Sequence, residues 1–174
     1  MNEKDKILLS ACCGPCATVA IERLAENFDV SALFVGDNLA TIEEFEKRKA
    51  AFITVCEFFK VPYDILPYNP EAFLEFVAGF ENAKEGGGRC ALCFEYRMTK
   101  TEEYALNNGI KKFTTSLTTS PHKNAELIAE IGASFNGYLH FDFKSENGFA
   151  RSVQISKQLN IYRQNFCGCQ FSVR

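Results

Sequence analysis

The sequence predicts one α/β domain, residues 1–174, with a mostly parallel sheet and flanking helices. Three observations predict it. Short apolar runs such as Ile7-Leu8-Leu9 and Val30-Ser31-Ala32-Leu33-Phe34-Val35 alternate with longer stretches of helical periodicity, the order that βαβ units impose. At 174 residues the chain has one-domain size, enough to bury roughly two-thirds of its unfolded surface. No internal repeat, linker or low-complexity tract divides it.

The elements follow in order. Residues 6–12 read as the first strand and 15–26 as the first helix. Gly14 permits the tight turn between them, and Pro15 suits the first helical position, where its missing N–H costs nothing. Residues 30–35 form a second strand that ends in the turn chemistry of Gly36-Asp37-Asn38. A helix from 42 to 59 carries Phe45, Phe52, Val55, Cys56 and Phe59 near helical spacing, and 61–66 is a third strand whose Pro62 marks its start or a sheet edge. Asn69-Pro70 caps a helix to 82 with Phe73, Leu74, Val77 and Phe80 on one face. Gly86-Gly87-Gly88 interrupts it, without either phosphate-loop signature. Cys90 opens a helix to 107, stopped by Gly109. Residues 112–117 are a strand, Thr118-Thr119-Ser120-Pro121 cap and open a helix to 131, residues 138–143 alternate as a short strand, and 148–159 is the last helix. The turns after the strands at 6–12 and 112–117 are expected side by side, at the carboxyl ends of neighbouring strands.

Composition narrows the class. Hydrophobic residues make up 47%, with 17 phenylalanines and no tryptophan, so the core is expected to rest on Phe and aliphatic side chains. No apolar run approaches the ~20 residues of a membrane span, and Met1-Asn2-Glu3-Lys4-Asp5-Lys6 lacks the apolar stretch of a signal peptide. A cytoplasmic protein with no membrane partner is expected. The net charge of −3 argues against non-specific nucleic-acid binding, which needs a broad positive surface.

Eight cysteines in a cytosolic chain stay reduced, which favours metal or redox chemistry over a disulfide framework. Seven fall in three clusters: Cys12, Cys13 and Cys16; Cys90 and Cys93; Cys167 and Cys169. Cys56 stands apart on an apolar helical face and reads as a small buried hydrophobe. The first cluster lies at a helix N-terminus, where the dipole favours thiolate. The two CxxC spacings suit half of a zinc knuckle or half of an iron–sulfur set. Seven thiols exceed what one zinc takes. A four-thiolate [4Fe–4S] cluster leaves three, enough for one further metal with an open position or for redox and proton-transfer groups. A thioredoxin-like exchange site needs two thiols and leaves five unexplained.

The blocks Cys12-Cys13-Gly14-Pro15-Cys16, Arg89-Cys90-Ala91-Leu92-Cys93-Phe94-Glu95-Tyr96-Arg97-Met98, Phe113-Thr114-Thr115-Ser116-Leu117 with Ser120-Pro121-His122-Lys123, Asp142-Phe143-Lys144, and Tyr162-Arg163-Gln164-Asn165-Phe166-Cys167-Gly168-Cys169 stand in fixed order. In these blocks the chain resembles the cobalamin-independent epoxyqueuosine reductases, the QueH family, over nearly its whole length. It departs at Val35-Gly36-Asp37-Asn38-Leu39-Ala40, where the family often carries a Tyr-Asn-Pro-Asn-like stretch. The resemblance implies a nucleotide-hydrolase-like α/β fold of the HUP/PP-loop type. It also implies removal of the epoxide oxygen of epoxyqueuosine at the wobble base of tRNA, with a [4Fe–4S] cluster and an additional mononuclear iron.

On that reading Cys12, Cys13, Cys90, Cys93, Cys167 and Cys169 are the expected cofactor ligands, with Cys16 as a further metal ligand or a catalytic thiol. Asp142 is the expected general acid or metal ligand, or else a partner of Lys144. Tyr96, Arg97, Lys123, Tyr162 and Arg163 are candidates for holding a splayed anticodon-loop nucleotide; His122 and His140 are weaker ones. An external electron donor is required. Two alternatives stay open: a zinc-stabilised nucleic-acid- or protein-binding module on Cys90, Cys93, Cys167 and Cys169, and an iron–sulfur reductase of another small oxidised substrate.

Overall fold

The computed structural model describes residues 4–172; Met1, Asn2 and Glu3 of the polar N-terminal stretch lie outside the described residues, as do Val173 and Arg174. The elements run β1 (Asp5–Ala11), α1 (Gly14–Leu24), β2 (Phe28–Phe34), α2 (Ile42–Phe59), β3 (Tyr63–Ile65), α3 (Pro70–Phe76), α4 (Gly88–Asn107), β4 (Phe113–Thr115), a 3₁₀ turn (Ser116–Thr119), α5 (Ala125–Gly132) and α6 (Gly148–Gln158). The four strands pair in parallel in the order β3-β2-β1-β4.

Alternate residues of β1 face opposite layers, as a strand's twofold side-chain period requires. Ile7, Leu9 and Ala11 pack into a core with α1, α2 and Phe143, while Leu8 packs into a second core with Phe94 and Met98 of α4 and Ile128 of α5. Helices on both faces explain why the strands are near-continuous apolar runs. The strand order reverses beside β1, with β2 on one side and β4 on the other. The carboxyl ends of β1 and β4 therefore flank the switch-point crevice in which such sheets bind ligands.

Three elements differ from expectation. Helix α3 ends at Phe76 and not near 82, and Phe80 is exposed, stacked over the start of α4 where a Cβ on Gly88 would meet its ring. Ser120 and Pro121 do not open a helix. The chain after β4 tightens into the 3₁₀ turn, and Asn124 caps α5 by accepting from the N–H groups of Glu126 and Leu127. The hydroxyls that the sequence offered as caps are engaged elsewhere: Thr118 donates to the Phe141 carbonyl and Thr119 to the Cys16 carbonyl at 2.9 Å. Residues 138–143 do not form a strand beyond one parallel bridge from Tyr138 to Phe113. The Thr118 hydroxyl also accepts from the Phe143 N–H, so a side chain takes up backbone groups that a strand would have paired.

Candidate metal centre

The β1–α1 turn, the 3₁₀ turn after β4, and the segment after α6 enclose a cavity of about 650 Å³ at the carboxyl edge of the sheet. Cys12, Cys13 and Cys16 line it from the first turn, Ser116, Ser120, His122 and Lys123 from the second, and Arg163 to Cys167 from the third. Thr119 ties the first two together through its bond to Cys16.

The third wall is held by a buried network. Arg48 of α2 is 1% exposed. Its Nε donates to Glu44 Oε1 at 2.6 Å, its Nη1 to the Cys167 carbonyl at 3.0 Å and its Nη2 to the Phe166 carbonyl at 3.2 Å. The Tyr162 hydroxyl donates to the same Glu44 carboxylate at 3.0 Å. Gly168 sits between the two thiols of the CxC with φ of +105°, and a Cβ there would stand 2.6 Å from Arg48 Nη2. Only glycine meets both demands.

Electrostatics split the thiols into two kinds. Cys12 is pushed well above the ordinary thiol range by its hydrogen bond with Cys13 and by burial, against the pull of Arg97 and Arg48. For Cys13 the bond with Cys12 works downward, but the bond with Cys16 and burial outweigh it and leave the thiol at about 12. Burial pushes Cys93 to about 12 despite Arg97 and Lys123, and the nearby sulfurs of Cys167 and Cys12 raise it further. At Cys12 and Cys13 the hydrogen bonds between neighbouring thiols, together with burial, outweigh the lowering expected from the α1 dipole. Cys167 goes the other way. Donation from Cys169 and the Lys123 ammonium, whose Nζ lies 3.1 Å from its sulfur, hold it well below the ordinary thiol value.

Among the described residues no three Cys, His, Asp or Glu side chains converge as a group able to hold one metal ion. One tetrahedral zinc takes four donors and a four-iron cluster takes one thiolate at each iron, so Cys12, Cys13, Cys16 and Cys167 around one cavity, with Cys93 and Cys169 beside Cys167, are chemically suited to either and outnumber what one zinc uses. Metal binding would supply the positive charge that deprotonates the neutral thiols.

A sequence profile described as "Epoxyqueuosine reductase QueH" matches residues 7–174. This chain belongs to the QueH family. Epoxyqueuosine reductase QueH of Streptococcus pyogenes serotype M1 is 35% identical, over 98% of this chain and 71% of the relative. Those of Staphylococcus aureus and Thermotoga maritima are 36% and 30% identical, with 76% and 90% of the relative covered. Two solved structures share the fold. The U34-tRNA thiolase NcsA from Methanococcus maripaludis, solved with its [4Fe–4S] cluster, matches with a TM-score of 0.61 at 12% identity over 99% of this chain, and NMN synthetase from Francisella tularensis with 0.53 at 12% over 91%. This chain spans 63% of each.

Within the QueH blocks the structure sorts the expected residues. Cys12, Cys13, Cys16 and Cys167 line the cavity. Cys93 lies within electrostatic reach of Cys167 and Cys12, and the Cys169 thiol donates a hydrogen bond to Cys167. Cys90, 8% exposed, packs in the apolar layer beneath and accepts from the Gly86 N–H at 3.2 Å. Asp142 is exposed and not among the lining residues; Lys144 donates to the Lys123 carbonyl and forms no ion pair with it. Tyr96 is buried with its hydroxyl on Asp37 at 2.7 Å, and Tyr162 is committed to Glu44, so neither tyrosine is free to stack on a base. Arg97 is buried and faces thiols, not solvent. Arg163 and His122 do line the cavity, whereas His140 is exposed and off the sheet. Cys56 is fully buried among Phe45, Phe52 and Phe59, as the sequence predicts.

Sequence reasoning missed Arg48 and Glu44, whose i,i+4 spacing on a helix reads as an ordinary surface pair. It also missed Phe149, 40% exposed at the cavity wall. The departing loop is a buried rivet: Asp37 accepts from Tyr96 and from the Asn69 N–H.

Proposed function

We propose that this chain reduces epoxyqueuosine in tRNA to queuosine at the switch-point cavity, with its clustered thiols holding an iron–sulfur centre and an adjacent iron. Membership of the QueH family supports the reaction. The observation that carries the site is the gathering of Cys12, Cys13, Cys16 and Cys167 at one sheet edge, in a crevice also lined by Arg163 and His122, with Cys169 hydrogen-bonded to Cys167.

Removing the epoxide oxygen consumes two electrons and two protons and releases water. When bound, the centre supplies one-electron transfer and Lewis acidity toward that oxygen. The chain's own residues do the rest. Cys12, Cys13, Cys93, Cys167 and Cys169, with Cys90 in the layer beneath, are the ligand set. Cys16, at the cavity surface, is left to donate a proton or to complete the second metal's ligands. The second proton comes from solvent, since Asp142 is exposed and not among the cavity's lining residues. Arg163 and His122 offer a cation and a ring to the phosphate and base of an extruded nucleotide. An external one-electron donor refills the centre.

The test is anaerobic purification, visible spectroscopy and iron and sulfide analysis, followed by incubation of epoxyqueuosine-containing tRNA with a chemical reductant. Brown protein, iron in excess of sulfide, and a nucleoside lighter by one oxygen are expected. A colourless zinc protein inert toward that tRNA would overturn the proposal. Iron equal to sulfide, with turnover intact, would remove only the adjacent iron.

A further inference from the structure

Three cations stand around the thiols, Arg48 and Arg97 buried and Lys123 half-buried, and the chain itself neutralises two. Arg48 is matched by Glu44 and two carbonyls, and Lys123 by the Cys167 sulfur. Among the described residues no hydrogen-bond acceptor or carboxylate matches Arg97. It is 3% exposed, and its Nε and Nη2 are buried without any acceptor. The neighbouring groups whose negative form it would stabilise are Cys12, Cys93, Cys13 and Cys167.

A buried guanidinium without a counter-charge destabilises the fold, and Cys93 stands one helical turn before Arg97 on α4. The missing negative charge therefore comes with what the thiols bind. We infer that Arg97 is the counter-cation of the metal centre, a positioning residue that retains the thiolate-bound cofactor and sets its reduction potential. The inference rests on the iron–sulfur reading above.

Its physical basis is direct. A cluster held by thiolates is anionic and becomes more so on reduction, so a fixed cation in a low-dielectric site favours the reduced form. Arginine suits the role better than lysine because it stays protonated when buried and brings five donors. Helix α4 supplies Cys93 and Arg97 four residues apart, so one turn of one helix presents both a ligand and its counter-charge.

The test uses the full chain as Arg97→Met and Arg97→Lys, each compared with wild type metal-free and loaded. Metal-free R97M is expected to melt at a higher temperature than metal-free wild type, because an uncompensated charge has been removed. Loaded R97M is expected to hold several-fold less iron and sulfide, or to reduce at a more negative potential in a dye-equilibrated titration, with R97K restoring both toward wild type. R97M that loads fully and titrates at the wild-type potential overturns the inference. So does metal-free R97M that melts below wild type, which would mean that Arg97 is already paired, and so does R97K that behaves as R97M. Wild type that binds no iron–sulfur centre at all retires the functional reading and this inference together, whereas the other failures leave that reading standing.

Discussion

Replacing Gly168 by alanine tests whether the CxC segment is locked in place by Arg48. The backbone there has φ of +105°, a conformation costing an L-residue about 1–3 kcal/mol. The new Cβ would lie 2.6 Å from Arg48 Nη2 and 2.7 Å from Leu39 Cδ2. One neighbour must move, and the guanidinium can move only by loosening its bonds to the Phe166 and Cys167 carbonyls, each worth ~1.5–3 kcal/mol as a charged hydrogen bond. A total on the order of 4 kcal/mol is expected, a large fraction of the roughly 5–15 kcal/mol that stabilises a domain. Gly109→Ala is the control. It too has positive φ, at +67°, but nothing lies within 4 Å of its Cβ, so only the backbone cost of about 1–2 kcal/mol applies. Urea unfolding of the metal-free proteins measures both, and iron content after loading shows whether Cys167 and Cys169 stay placed. Equal destabilisation of the two variants, with wild-type iron in each, would refute the locking argument.

Other expectations follow from the same contacts. Cys12→Ser or Cys167→Ser should lower iron content severalfold, whereas Cys56→Ala should keep full iron and lose on the order of 1 kcal/mol by chemical denaturation, since its thiol only fills core. Tyr96→Phe should cost about 1–3 kcal/mol by leaving Asp37 without its buried donor, yet leave RNA affinity unchanged in filter binding. Arg163→Gln should instead weaken binding of an anticodon stem-loop and reduce its salt slope by about 1. The Arg151–Glu22 pair joins α6 to α1 and holds the Glu22 carboxyl below its ordinary 4.5 through the hydrogen bond and charge of Arg151. A depressed acid contributes stability that is present above its ordinary value and lost as pH falls through the folded one. Glu22→Gln should therefore be less stable by under ~1 kcal/mol near pH 7, with the gap closing below pH 4.5 in thermal scans.

What was legible in the sequence was what local chemistry decides. The turn of Gly14 and Pro15 after an apolar run placed the first strand and helix, and the spacing of Phe45, Phe52, Val55, Cys56 and Phe59 placed α2. The three thiol clusters pointed to one shared site, and the structure brings Cys12, Cys13, Cys16 and Cys167 to one cavity. What was not legible depended on partners distant in the chain. Thr118 and Thr119 looked like caps until Phe141 and Cys16 claimed their hydroxyls. Tyr96, Arg97 and Tyr162 looked like nucleotide contacts because an aromatic or basic residue in a matched block carries no mark of whether it faces inward. Arg48 and Glu44 carried no signal at all, since their burial is created by a segment about 120 residues later.

The outer strands of the sheet bear on handling the metal-free protein. One margin is the three-residue β3, entered through Pro62, and the other is the three-residue β4, crossed by a single bridge at Tyr138. Neither offers a long row of open backbone groups on which another copy could template. Insolubility after exposure to air should then arise from intermolecular disulfides among the uncovered thiols, and fresh reductant should dissolve the precipitate where an aggregated sheet would persist.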